Sequence, residues 1–181
     1  YEEVAKKFAK LLGLDPWLIN PMYAHCGEVN WAEGTGIDCV QTQVDALLTK
    51  IRRKHKEYGI NEKPFVVVKD GQEVTEVIIQ EGVHTFERVN EAVAEPVVYM
   101  IDRYVVGGFY RIHAERGVDE NLNAPGARFV PLPFAGNAHL PRPGGKGEAR
   151  PPNRFYMYGV IARLAMVAAS YELEATDPEL Q

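Results

Sequence analysis

Pro64-Phe65-Val66-Val67-Val68-Lys69-Asp70-Gly71, followed by Val74 to Gln80 and then Glu81-Gly82-Val83, is the stretch that decides the fold class. Two short runs of mostly β-branched residues flank an Asp-Gly pair, a dipeptide suited to tight reversal between paired strands. The spacing predicts an antiparallel hairpin with a lysine ending its first strand and Gln80-Glu81 ending its second. Further along, Val97 to Val106 and Phe109 to His113 form two more runs, and Gly107-Gly108 between them predicts another hairpin. On the N-terminal side, Asp38 is placed to cap a long helix with the apolar stripe Val40, Val44, Leu47, Leu48 and Ile51, ended by Gly59. Val4, Phe8, Leu11 and Leu12 predict a shorter helix that stops at Gly13. Between these helices, residues 14 to 36 contain Asp15-Pro16, Asn20-Pro21, Gly27, Gly34 and Gly36 and read as mostly irregular. Residues 136 to 153, with four prolines and four glycines, read as a surface loop. Phe155 to Leu173 is apolar over much of its circumference and reads as a buried helix, interrupted by Arg163. Helices mixed with antiparallel hairpins define an α+β architecture.

Composition narrows the chemistry. A length of 181 residues suits one domain or two small ones. Twenty basic against twenty-five acidic residues, a net charge of −5, argue against a chain that lives on nucleic acid. The basic cluster Lys50, Arg52, Arg53, Lys54 and Lys56 falls in the last turns of the predicted helix, where it suits the negative end of the helix dipole. Ser170 is the only serine, and it lies among alanines with no Gly-x-Ser-x-Gly context, so serine nucleophile chemistry is excluded. Walker-type loops, His-Glu-x-x-His and paired Cys-x-x-Cys motifs are absent. Cys26 and Cys39 stand in no metal-ligand spacing and read as reduced thiols of a cytoplasmic chain. Neighbours in an extended segment point apart, which argues against a His25–Cys26 catalytic pair. No apolar run is long enough to span a bilayer. A chain opening at Tyr1 reads as part of something longer.

A sequence of candidate groups follows the hairpin. Lys69 at a strand end can place its ammonium on phosphate oxygens. Gln80-Glu81 and the peptide at Val83 offer a backbone donor and acceptor for a purine edge and a carboxylate for a ribose hydroxyl. Arg103 and Arg111, on adjacent predicted strands, suit a bidentate clamp on a carboxylate or a phosphoryl group. The loop Asp119-Glu120-Asn121-Leu122-Asn123-Ala124-Pro125-Gly126 carries oxygen donors of the kind Mg²⁺ takes, and His84 and His113 flank the set.

That order resembles the ATP-grasp superfamily, in which ATP lies between two antiparallel sheets. Five longer stretches are similar to the proteobacterial type of glutamate–cysteine ligase (γ-glutamylcysteine synthetase). They are Gly13-Leu14-Asp15-Pro16-Trp17-Leu18-Ile19-Asn20-Pro21, Lys63 to Lys69, Val77 to Arg88, Glu95 to Arg111 and Asp119 to Gly126. The resemblance runs through nearly the whole chain and corresponds to the C-terminal part of such a ligase. It implies a mainly helical segment over 1–62 leading into an ATP-grasp-like region over 63–181. It further implies joining of L-glutamate to L-cysteine through an acyl phosphate, the first step of glutathione biosynthesis, with ATP and Mg²⁺. Lys69 would meet the phosphates, and Gln80, Glu81 and Val83 the adenine and sugar. Arg103 and Arg111 would serve catalysis, while Glu120, Asn121 and Asn123 would hold the metal. Partners would be small molecules, with no nucleic acid or membrane, and the chain is a candidate homo-oligomer. One departure stands out: family members carry a glycine-rich segment after the strand-end lysine, whereas Lys69 here runs directly into Asp70-Gly71. Two alternatives stay open: an ATP-grasp ligase for a different acid and amine, and a non-catalytic nucleotide-binding remnant.

Overall fold

The computed structural model describes residues 1–69, 75–132 and 154–178. In chain order it contains α1 (Glu2–Leu12), a 3-10 turn (Pro16–Leu18), β1 (Tyr23–Val29), α2 (Ile37–Tyr58), β2 (Val66–Lys69), β3 (Thr75–Glu81), β4 (Arg88–Val89), β5 (Ala92–Ile101), β6 (Tyr104–His113), β7 (Arg128–Pro131) and α3 (Arg154–Thr176). The α+β class holds. Packing groups the chain into two units, Trp17–His84 and a second made of Tyr1–Pro16 with Thr85–Gln181.

In the Trp17–His84 unit, three antiparallel strands lie in the order β1-β3-β2. β2 and β3 pair as the hairpin reading requires, with Val66 opposite Glu81 and Lys69 opposite Ile78; the Asp70-Gly71 turn itself lies outside the described residues. Side chains alternate across a strand. Val77, Ile79 and Glu81 therefore share one face of β3, and Ile78 and Gln80 the other. The first face packs on α2, where Cys26, Val29, Val40, Leu47, Ile51, Val77 and Ile79 form the core. α2 ends as predicted at Gly59 in the left-handed region (φ 67°), and α1 ends likewise at Gly13 (φ 65°). The start of α2 differs from expectation: Gly36 is the capping residue and Asp38 sits in the first turn.

One reading of the N-terminal third is refined and one corrected. Residues 14–36, mostly irregular as expected, also hold a strand, β1. Its pattern is broken by a bulge between Cys26 and Val29, where Glu28 takes a positive φ of 56°, so no simple alternation shows in the sequence. Cys26 and Cys39, expected as separate thiols, form a disulfide with Cα atoms 6.1 Å apart. The bond joins β1 to the first turn of α2, two elements adjacent only once β1 is recognised as a strand. The cysteine count therefore says nothing about compartment.

In the other unit a four-stranded antiparallel sheet runs β4-β5-β6-β7. Its long hairpin turns at Asp102-Arg103, with Ile101 opposite Tyr104, and not at Gly107-Gly108. Asp102 accepts the positive φ (49°) that the turn needs, as a short polar side chain can. The two glycines fall inside β6, opposite Tyr99 and Val98. α3 contacts β5 and α1, yet Met157, Met166, Val167, Tyr171 and Leu173 stay exposed, so the expected buried helix is largely uncovered. The predicted loop over 136–153 lies outside the described residues. No helix among the described residues is long and apolar enough to cross a membrane.

Ile79 is fully buried at the centre of the first sheet. Ile79→Ala should lower stability by about 2–5 kcal/mol through lost transfer energy and an unfilled cavity, read as a shift in the urea midpoint.

Candidate functional site

Geometry first assembles Lys69 and Gln80. They project from the face of the β1-β3-β2 sheet opposite α2, and the Lys69 Nζ donates to Gln80 Oε1 at 3.1 Å. Both are accessible, so an ammonium and an amide stand side by side at an open sheet face. The pairing directs the flexible lysine along the end of β3, where an anion and a polar ring edge could meet both groups.

The strand then passes into Glu81-Gly82-Val83. Glu81 was expected to offer its carboxylate to a sugar; the structure turns it to the α2 face instead. It is 6% exposed, and both carboxylate oxygens lie 3.0 Å from the donating Trp17 Nε1. The Met22 amide donates to Oε2 at 2.8 Å. Its own backbone N–H donates to the Met22 carbonyl, also at 2.8 Å. Trp17 is backed by Tyr58 and His55 of α2, with ring centroids 5.2 and 6.2 Å away. The Gly82 N–H donates to the Phe65 carbonyl at 2.9 Å, and the Phe65 ring stacks edge-on against His84. Val83 follows, 64% exposed, with no backbone hydrogen bond to any described residue. An exposed peptide without a backbone partner among the described residues has a donor and an acceptor to offer a polar ring edge.

In the second unit the arginines do not form a pair. Arg103 sits in the β5–β6 turn, its Nη2 donating to the Tyr104 hydroxyl at 3.2 Å and its carbonyl accepting from Arg163 Nε at 2.9 Å. Arg111 lies far along β6, a separation of roughly 25 Å at about 3.3 Å per residue. The clamp expected of the two fails because the turn comes at Asp102-Arg103, which puts them at opposite ends of one strand. Arg111 Nη1 donates to Glu95 Oε1 at 2.5 Å across the ladder, while its Nε is buried with no partner among the described residues. Phe109 and Phe129 stand on the same face, edge to face at 5.2 Å, and with Gly108 and Pro131 line a shallow apolar hollow of about 420 Å³.

The Glu120 carboxylate accepts from the Gly117 amide at 2.6 Å and from Arg116 Nη1 at 2.8 Å. These two donors, the backbone one first, hold its carboxyl below the usual carboxylate range. Asn121 Oδ1 accepts from the Asn123 amide at 2.9 Å, an Asx turn. A divalent cation needs several converging oxygens, and here one carboxylate is committed to a guanidinium and one amide oxygen to its own loop. The three residues do not fit a Mg²⁺ site as they stand. Among the described residues no cluster of His, Cys, Asp or Glu could hold a metal ion. His113 is also committed: Nδ1 accepts from the Glu115 amide at 3.3 Å and Nε2 donates to the Pro125 carbonyl at 3.0 Å. Tyr158 of α3 donates to Glu87 at 2.7 Å, and burial together with that carboxylate pushes its phenol well above the usual range.

Sequence reasoning gave no role to Trp17 or Phe65. Both lie inside the stretches that carry the resemblance, but nothing in their spacing says that one holds a carboxylate and the other floors a glycine.

These features define an α+β protein with two antiparallel sheets, one of which carries Lys69 and Gln80 on its open face and ends in an exposed peptide at Val83. The chain is similar to a solved structure, that of a proposed γ-glutamylcysteine synthetase from Methylobacillus flagellatus KT. The two are 44% identical with a TM-score of 0.82, over 98% of this chain and 50% of that one. The sequence profile of the GshA family, glutamate-cysteine ligase, matches residues 1–72 and 67–173, and the chain belongs to that family. It spans about half the length of the Methylobacillus protein. No curated protein matches. The two matched pieces meet at residues 67–72, where Asp70-Gly71 follow Lys69 directly.

A Cβ added to Gly82 would lie 2.1–2.4 Å from three atoms of the Phe65 ring. Gly82→Ala must displace the ring or the hinge peptide, an overpacking strain of about 1–3 kcal/mol. The expected outcome is a lower melting temperature, partly restored by Phe65→Leu; an unchanged melt would show that the ring moves aside freely.

Proposed function

We propose that this chain supplies the nucleotide-binding part of an ATP-dependent ligase with an ATP-grasp arrangement, joining the γ-carboxylate of L-glutamate to the amine of L-cysteine. The observation that carries the reading is the family match, which covers both the Lys69–Gln80 face and the Arg111 strand. The geometry agrees with it: a strand-end ammonium beside an amide, followed by an exposed peptide whose donor and acceptor have no backbone partner among the described residues.

The chemistry follows from what an acid and an amine lack. Carboxylate oxygen is a poor leaving group, so the γ-carboxylate first attacks the terminal phosphorus of ATP, forming an acyl phosphate and releasing ADP. The amine of cysteine then attacks the acyl carbon, the C–O bond to phosphate breaks, and the amine gives up a proton. No protein nucleophile is needed, in keeping with a single serine in apolar surroundings. Lys69 holds phosphate oxygens as a point charge, the Val83 peptide orients the purine, and Arg111 meets an anionic group through its uncommitted nitrogens. Such groups act by positioning and by offsetting charge that develops on the phosphoryl oxygens. Arg103, at the far end of its strand from Arg111, is left to a separate anionic contact.

A second reading, nucleotide binding without turnover, is favoured by one feature. Lys69 runs into Asp70-Gly71 where family members carry a glycine-rich segment.

Phosphate release by the purified full-length polypeptide, given ATP, Mg²⁺ and glutamate with and without cysteine, separates the readings. Cysteine-dependent release with γ-glutamylcysteine formed is the expected result. ATP binding with no release supports the second reading, and no ATP binding overturns both. Lys69→Ala should weaken ATP binding about tenfold, the worth of one charge-assisted contact of roughly 1.4 kcal/mol, in isothermal calorimetry; unchanged affinity removes Lys69 from the site.

A further inference from the structure

We propose that Glu81 is a positioning residue: with Trp17, it fixes the exposed Val83 peptide that meets the purine edge, and it does not touch the nucleotide. The inference rests on the ATP reading above and assigns the parts of that site differently from a reading by motif.

Strand alternation carries the first part of the argument. Lys69 lies opposite Ile78, and Val67 opposite Gln80, in the β2–β3 ladder, so Lys69 and Gln80 share a face. Glu81 is one residue beyond Gln80 and projects from the other face. A ligand lying against Lys69 and Gln80 is separated from the Glu81 carboxylate by the thickness of the sheet. Its near-complete burial agrees.

The bonds at Glu81 carry the second part. The carboxylate collects the Trp17 indole N–H and the Met22 amide, and the Glu81 amide returns a bond to the Met22 carbonyl. The end of β3 is thereby tied to the 3-10 turn and to the residues entering β1. Trp17 in turn rests on Tyr58 near the end of α2. Glu81 and the Gly82 N–H, bound to Phe65, together fix where the next peptide starts. That peptide is the one left open. A hinge whose donor and acceptor are already oriented loses less ordering free energy on binding, so the lock appears as nucleotide affinity.

The test measures the affinity of the purified chain for ATP and for 2′-deoxy-ATP by calorimetry, in wild type, Trp17→Phe, Glu81→Gln and the double variant. Trp17→Phe keeps the ring on Tyr58 and removes only the indole donor; Glu81→Gln keeps shape and one acceptor. Each single variant is expected to weaken ATP binding about tenfold. The double variant should be no weaker than either single, because both break one device. The ratio of the two nucleotides' affinities should stay at the wild-type value throughout. A Glu81→Gln variant that loses discrimination against the 2′-deoxy nucleotide, while Trp17→Phe keeps it, would place Glu81 on the ribose and overturn the proposal. Wild-type affinity in both folded single variants overturns it as well. If Glu81→Gln does not fold, by circular dichroism, the Trp17→Phe arm decides alone: weakened ATP binding with the nucleotide ratio unchanged supports the proposal, and wild-type affinity or a changed ratio overturns it. Failure of the wild-type chain to bind ATP removes the nucleotide reading itself, a result distinct from wild-type binding that the variants leave unaltered.

Discussion

A carboxylate at the end of a central strand, nearly sealed from water, survives only if donors are brought to it. Unmet, such a group costs several times what a satisfied hydrogen bond contributes. For Glu81 the donors come from Trp17 and Met22, 64 and 59 residues earlier in the chain. The segment carrying them must therefore return to the end of β3, and much of the Trp17–His84 unit follows from that return. Met22 bound at Glu81 places Tyr23 opposite Gln80 and so sets the register of β1 on β3. That register puts Cys26 opposite Val77, inside the core and within reach of Cys39 on α2. Trp17 docked on Tyr58 and His55 fixes where α2 ends relative to the same strand. One buried acceptor thus links a turn, two strands and a helix.

Legibility in the sequence tracks how local the cause of each element is. The β2–β3 pairing, the apolar stripe of α2 and the stops at Gly13 and Gly59 were readable because period, β-branching and glycine act within a few residues. β1 was not, since its alternation is interrupted by a bulge and its strand character comes from pairing with β3, fifty residues away. The disulfide was hidden for the same reason: without β1, Cys26 and Cys39 have no common neighbourhood. Gly107-Gly108 misled because glycines permit a turn without requiring one. The nine paired positions of β5 and β6 on either side of Asp102-Arg103 outweigh them. α3 shows the converse limit: apolar character states what a helix can bury and not what covers it.

The candidate site divides along the same line. Lys69 and Gln80 were grouped together from the sequence, and the structure joins them by a hydrogen bond. Glu81 was placed with them because it is adjacent in sequence, yet adjacency in a strand means opposite faces. The arginine pair failed by a related route, since a misplaced turn converts two residues on neighbouring strands into two ends of a single strand. Glu120 and Asn121 were chosen for their oxygen atoms, and those atoms are already satisfied by Arg116, Gly117 and Asn123. Residue type names what a side chain can do; the partners it already has decide what is left over.

On the proposed ligase reading, Arg111 is where that remainder would act. Its Nη1 is spent on Glu95. The buried Nε has no acceptor among the described residues, and a buried donor left in that state costs free energy that an incoming oxygen would recover. Phe109 and Phe129 line the adjoining apolar surface. On the proposed ligase reading, an anionic group arriving there would gain a bond that Arg111 lacks among the described residues. Glu95 sets the opposing condition: it repels an anion that approaches from its side and limits the approach to one edge of the guanidinium. Orientation and attraction thus come from the same ion pair, a combination that a lysine, with no planar fork to hold, does not supply.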